Sequence, residues 1–253
     1  MLITAENYFS KEAEKAYFGS SQFKSFMSCE SAAMAKINGE YEEETSTPLL
    51  VGSFVDAHFE GTLDIFRAQH PEIFTQKGEL KSEYRHAEYI IERIERDEMF
   101  MRYMNGGKQA ILTGELFGQQ WKIKIDSYHI GKALVDLKIM KDFASVWVDG
   151  QGKIPFVEAW GYDIQGFIYQ SIEGNNLPFF IAGATKQKPE PDIDIISIPQ
   201  DALDIAGAIV QANIGHFAEV KAGQVEPHRC EKCDYCKRTK KLTQIVDYRE
   251  IVA

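Results

Sequence analysis

Apolar positions change their spacing along this chain, and the changes divide it into helices and strands. SSQFKSFMSCESAAMAKING (20–39) carries them at helical spacing, with Ser20 or Ser21 as a cap and Gly39 as the closing residue. An acidic linker, EYEEETSTP, leads into LVGSFVDAHFEG, a second helix. Over 81–104, Tyr84, Ala87, Ile90, Ile91 and Ile94 mark one face of a charged amphipathic helix. The pattern then shortens to that of strands near 109–117, 120–128 and 133–139, with a Gly-bearing turn at 129–132. Trp160, Ile164, Phe167 and Ile168 return to helical spacing. LPFFIAGATK and DIDIISIP read as strands joined by the KPEP turn, and DALDIAGAIVQANIGHFAEVKAG as a long helix. This order predicts an α/β domain with a central mixed sheet flanked by helices. One domain is expected over 1–253, with a helical region to about residue 105 and a cysteine-bearing tail from about residue 226.

Composition narrows the class. The 253 residues, 44% hydrophobic and 26% charged, can bury a substantial core. No apolar run approaches the roughly 18 residues that cross a membrane. MLITAENYFSKEAEK has neither a basic region nor an apolar core, so a cytoplasmic protein is expected. The net charge of −10 disfavours broad nonspecific binding to nucleic acid. It is unevenly spread, however: residues 1–100 hold 19 acidic and 10 basic side chains, while 228–241 is locally basic. A local positive groove within an acidic protein stays compatible with DNA.

Candidate chemistry concentrates in ELFGQQWKIKIDSYHIGKALVDLK (115–138). Two apolar runs each deliver an aspartate, Asp126 and Asp136, and Lys138 follows the second after one residue. Positions 136 and 138 share one face of a strand. Charge inside ALVDLKIM is costly unless it is paired or working. Two carboxylates suit Mg²⁺ or Mn²⁺, and a lysine alongside can orient a water, the equipment of a phosphodiester hydrolase. Downstream, Gln165 and Tyr169 are four apart and share one helix face.

Of four cysteines, Cys29 stands alone and Cys230, Cys233 and Cys236 form two consecutive C-x-x-C steps. Three thiols so close together do not make a usual disulfide framework, and in a reducing compartment such clusters bind metal. One plus three thiolates can complete a Cys₄ site for zinc or an iron–sulfur cluster, and spacing does not separate the two.

A carboxylate, then Asp-x-Lys, then Gln-xxx-Tyr, in this order, resembles the PD-(D/E)XK nuclease superfamily, and more closely its RecB-like and RecE-like exonuclease branch. The likeness spans about residues 20–240. It implies a restriction-endonuclease-like core and a metal-dependent deoxyribonuclease of phage type, acting on DNA ends in recombination or repair. It implies Asp126 and Asp136 as metal ligands, the Leu137 carbonyl as another, and Lys138, Gln165 and Tyr169 as catalytic or bracing residues. Glu115 falls where the family often has a strand glutamate. Four residues after Gly52, where the family has His, stands Asp56; His58 is two further on and about 200° around the helix, so Asp56 is the preferred ligand. Ile123 and Ile139 replace the family's usual glycine and threonine. A single-strand annealing protein is the implied partner besides DNA. The one-plus-three cysteines resemble those of AddB-like nucleases, which implies [4Fe–4S] ahead of Zn²⁺. A catalytically inactive nuclease-fold module, or a zinc-stapled interaction protein, is the alternative.

Overall fold

The computed structural model of the chain describes residues 1–247 and 249; the end of the expected tail, 248 and 250–253, lies outside the described residues. Eleven α-helices are described: α1 Lys11–Ala16, α2 Ser20–Ser28, α3 Glu30–Asn38, α4 Thr47–Glu60, α5 Leu63–Gln69, α6 Ser82–Glu95, α7 Glu98–Met104, α8 Phe156–Ala159, α9 Tyr162–Glu173, α10 Gln200–Lys221 and α11 Asp234–Arg238. The strands are β1 Gly107–Leu116, β2 Gln119–His129, β3 Ala133–Met140, β4 Val146–Val148, β5 Gly152–Ile154, β6 Phe179–Thr185 and β7 Ile193–Ser197.

Five strands form one mixed sheet in the order β1-β2-β3-β6-β7. β3 and β6 run parallel at its centre, and the other neighbours are antiparallel. A parallel pair needs a crossover, and α8–α9 supplies it. Both faces are covered. On one, Leu134, Phe179 and Ile181 pack with Phe23 and Phe26 of α2, Ile168 of α9 and Val210 and Phe217 of α10. On the other, Val135, Leu137, Ala182 and Ala184 pack with Phe54 and Val55 of α4, Ile90 and Ile94 of α6 and Phe100 of α7. Burial on both faces is why β3 and β6 read as near-continuous apolar runs.

Two helices expected as single pieces are broken, each for a local reason. The 20–39 helix stops at Cys29, whose backbone is extended at φ −167°, ψ 109°. The restart leaves first-turn donors of α3 to the tail: Ser31 donates from N (3.1 Å) and Oγ (3.1 Å) to the His228 carbonyl. The 81–104 helix is interrupted at Asp97, which caps α7 by accepting from the Phe100 N–H at 2.8 Å. The small β4–β5 hairpin and the short helices α1, α5 and α11 carry too few periodic positions to be expected.

Candidate active site

β2 and β3 pair only as far as Ser127–Val135. The next opposed residues, Asp126 and Asp136, border the wedge where the strands splay. There the Leu137 N–H, released from the ladder, donates to Asp126 Oδ2 at 2.9 Å. Across β1, Asp126 faces Gln109, whose φ of +52° is left-handed and whose Nε2 donates to Asp126 Oδ1 at 3.2 Å. The alternation of β2 shifts phase here: Trp121, Ile123 and Ile125 enter one core, but the next to do so is Tyr128.

Asp136 and Lys138 share the β3 face that looks toward α9. Gln165 Nε2 donates to Asp136 Oδ1 at 2.6 Å, and the Lys138 ammonium pairs with Asp136 Oδ2. Tyr169, one turn after Gln165, donates its hydroxyl to the Lys124 carbonyl at 2.9 Å and so ties α9 to β2. Asp56 arrives from α4. Asp56, Asp126, Asp136, Leu137, Lys138, Gln165 and Tyr169 all line one open cleft of ≈ 540 Å³. At its floor is a recess of ≈ 10 Å³ bounded by Asp56, Glu60, Gln109, Asp126 and Leu137, about the space of one water-sized occupant.

Two expected residues are not brought here. Glu115 is exposed near the β1–β2 turn, paired with Gln120; six residues of strand, roughly 20 Å, separate it from Gln109. His58 leaves the other side of α4 and bonds Glu95 of α6 at 2.8 Å. Two residues unforeseen in the sequence do border the recess. Glu60, one helical turn beyond Asp56, was signalled by its i, i+4 spacing; it also pairs with Lys124 at 3.7 Å. Gln109 gave no signal, because its position depends on a left-handed backbone.

The electrostatics are those of a carboxylate cluster short of positive charge. Burial, then the neighbouring Asp126, pushes the Asp56 carboxyl well above its usual range. Burial and Asp136 push Asp126 up to about 7. Burial alone would lower the Lys138 ammonium, but Asp136 and Asp126 outweigh it and hold the group charged. Lys24 of α2 is lowered to about 8 by burial and by Lys138; both ammoniums lie 5.5 Å from the Tyr162 ring centroid. Among the described residues the buried acceptor oxygens Asp56 Oδ1 and Gln109 Oε1 of the recess lack a hydrogen-bond partner, and Asp136 Oδ2 of the cleft meets only the Lys138 ammonium. Buried acceptors left without donors are costly. A hard cation is the partner their chemistry fits.

A second cluster joins the far ends of the chain. The sulfurs of Cys29, Cys230, Cys233 and Cys236 lie within 4.8 Å of one another, with Cys29 to Cys236 at 3.6 Å. All four are free, and the cluster is compatible with metal binding. The Cys233 and Cys236 N–H groups donate to Cys230 and Cys233 sulfurs at 3.3 and 3.4 Å.

A mixed α/β sheet with acidic oxygens at its splayed strands and a lysine two residues beyond the last carboxylate defines a restriction-endonuclease-like core. The comparisons with known proteins give the family. Residues 19–239 match DUF3799, a PDDEXK-like domain of unknown function, and the chain belongs to that family. The crystal structure of a protein from Eubacterium rectale, described as a candidate exonuclease, is similar at 52% identity, covering 100% of this chain and 99% of that chain with a TM-score of 0.96. The structure of SSO0001 aligns at 12% identity and a TM-score of 0.30 over 81% of this chain and 84% of that one, too distant to inform function. No curated protein matches the chain. No helix among the described residues is long and apolar enough to cross a membrane.

Proposed function

We propose that this chain is a divalent-cation-dependent deoxyribonuclease that digests DNA from its ends. The observation that carries the reading is the pair of unpartnered buried acceptors, Asp56 Oδ1 and Gln109 Oε1, beside Asp126 and Asp136 in the cleft that also holds Lys138. Family membership and the likeness to the Eubacterium rectale protein support it.

Asp56, Asp126 and Asp136 would hold Mg²⁺ or Mn²⁺, with the Leu137 carbonyl and Glu60 within the same surroundings. Such an ion supplies Lewis-acid polarisation of the scissile phosphate and a more acidic bound water. The side chains do the positioning. Gln165 fixes one oxygen of Asp136 and leaves the other for Lys138, so the ammonium is aimed rather than free. From there Lys138 can orient a water and offset charge developing on the phosphate. Tyr169 keeps α9 and β2 in register beneath the cleft. Lys24 and Lys124 line the same cleft and offer the phosphate contacts that the net charge of −10 otherwise withholds.

The cysteine cluster has a structural part in this reading, clasping the tail to the α2–α3 junction. A tetrahedral site with metal–sulfur bonds of about 2.3 Å has sulfurs about 3.8 Å apart. The 3.6 and 4.0 Å separations of Cys236 from Cys29 and Cys230 favour a single ion such as zinc, because a [4Fe–4S] cubane places an iron behind each thiolate and spreads them further. The one-plus-three order favours the cluster; metal analysis and absorbance near 400 nm decide between them. The role proposed for end digestion is in recombination or repair, alongside a single-strand annealing protein.

End-labelled linear DNA incubated with Mn²⁺, against covalently closed circular DNA of the same sequence, tests the function. Label should leave the linear DNA and the circle should persist. Loss of neither, with Mn²⁺ bound, would return the chain to an inactive nuclease-fold binding module.

A further inference from the structure

We propose that Phe9 is a stacking platform for an unpaired base, so that the cleft receives the single-stranded end of the nucleic acid. The inference rests on the nuclease reading and specifies its substrate. Phe9 is 72% exposed, uncommon for a phenylalanine, and it lines the cleft that holds Asp136 and Lys138.

The ring is held rather than loose. Tyr8 is buried and meets Phe9 edge-on, with centroids 4.9 Å apart. The Tyr8 carbonyl accepts from the Lys122 ammonium, which pairs with Glu14 at 2.6 Å and lies 4.5 Å from the Tyr8 ring centroid. Lys122 is 2% exposed, and a charge so placed is tolerated only with such partners. It fastens residues 8–14 to β2, the strand that carries Asp126. On the other side of Phe9, Ser10 caps α1 by accepting from the Ala13 N–H at 3.1 Å. A ring whose backbone is fixed on both sides loses less freedom on meeting a ligand.

The surroundings select the ligand. The Lys124 ammonium lies 5.3 Å from the Phe9 ring centroid and 3.7 Å from Glu60. It thus stands between the ring and the acidic floor, where it can take a phosphate whose base lies on the ring. Ile65 of α5, 59% exposed, gives the same cleft a second apolar side chain. A volume of ≈ 540 Å³ is that of a small-ligand site. It suits an unstacked nucleotide at the end of a strand.

The test uses the full chain with Mn²⁺, an end-labelled single-stranded oligonucleotide and a blunt duplex of the same sequence. Phe9→Ala should raise KM for the single strand about 5- to 150-fold, the equivalent of about 1–3 kcal/mol per stacked base, with a smaller effect on the duplex and no change in melting temperature. Phe9→Tyr and Phe9→Trp should restore binding and Phe9→Leu should not. An abasic position at the end nucleotide should abolish the difference between Phe9→Ala and the parent. Fluorescence of the Phe9→Trp variant, above that of the native tryptophans, should be quenched by the oligonucleotide in Ca²⁺. An equal response to both substrates, full rescue by leucine, or an abasic effect independent of residue 9 would each overturn the proposal. Cleavage by the Phe9→Trp variant with its added fluorescence unquenched sinks the stacking and leaves the nuclease; quenching without cleavage in any divalent cation does the reverse.

Discussion

Replacing Asp126 with Asn should separate what the carboxylate cluster costs the protein from what a cation returns to it. Burial and Asp136 raise the Asp126 carboxyl from 3.8 to about 7. At about 1.4 kcal/mol per unit, those three units correspond to roughly 4 kcal/mol of differential interaction. The sign follows from proton binding. Between pH about 4 and about 7 the native state holds a proton at Asp126 that the unfolded chain has lost, so ν_U − ν_N is negative and stability falls as pH rises. The destabilisation is absent below the unfolded value and complete above the folded one. Asp56, raised by the same burial and by Asp126, acts in the same direction. Asn keeps the size of the side chain and one acceptor for the Leu137 N–H, and removes the charge.

Thermal unfolding of parent and Asp126→Asn, with and without Mn²⁺, reads this directly. Without cation the variant should be the more stable protein at about pH 8, and its advantage should shrink to nothing by about pH 4. At a hundred times its Kd, Mn²⁺ should stabilise the parent by about 2.7 kcal/mol, a rise of roughly 5–10 °C for a chain of this size. That rise should grow with pH up to about 7 and then level, since protonated carboxylates do not bind the ion. The variant should lose most of it. Because both proteins carry the same cysteine site, any effect of chelator there cancels in the comparison. An Asp126→Asn protein that keeps the full Mn²⁺ shift, or that is no more stable than the parent at alkaline pH without cation, would refute the shared site.

Three further outcomes follow from the same geometry. Lys138→Ala should lower the cleavage rate about 10²- to 10³-fold, as removal of one charge-stabilising group does; without cation it should also cost roughly 3 kcal/mol, because Asp136 is left buried and unpaired, and Mn²⁺ should recover much of that in a melting experiment. Gln109→Ala removes a donor to Asp126 Oδ1 and an acceptor of the recess, so Mn²⁺ affinity by calorimetry should fall about tenfold while the fold persists. Cys29→Ser, or metal removal, should loosen α2–α3 and the tail together, seen as coincident proteolytic cleavage near residues 29 and 228; cleavage at the tail alone would mean that the four sulfurs do not share an ion.

What could be read from the sequence, and what could not, divides along one physical line. Period-two and period-3.6 patterns report which face of an element is buried, and the mixed sheet, its covering helices and the order of the candidate residues follow from them. β3 is legible because it is central: its charges stand out against an apolar run buried on both faces. The helix breaks at Cys29 and Asp97 are not legible, since nothing in local propensity opposes continuing through them. The break at Cys29 is set by a tail some two hundred residues away, through Ser31 and the His228 carbonyl. Asp97 is a cap only because the chain turns there.

The recess itself lay furthest from the sequence pattern. Its geometry depends on a departure from periodicity: β2 shifts phase at Asp126 while Gln109, opposite, takes a left-handed backbone. A regular strand would keep the Leu137 N–H in the ladder. The splay releases that N–H to the carboxylate instead and opens the space next to Asp136. Left-handed conformations cost a non-glycine residue about 1–2 kcal/mol, and they persist where surrounding contacts over-determine them. Here the surroundings are the carboxylates of Asp56, Asp126 and Asp136, and the unpartnered oxygens of Asp56 and Gln109 call for a cation. The irregularity that hides the recess from a periodic reading is thus the same one that makes room for the ion, whereas Glu115 is out of reach because it lies six residues further along β1.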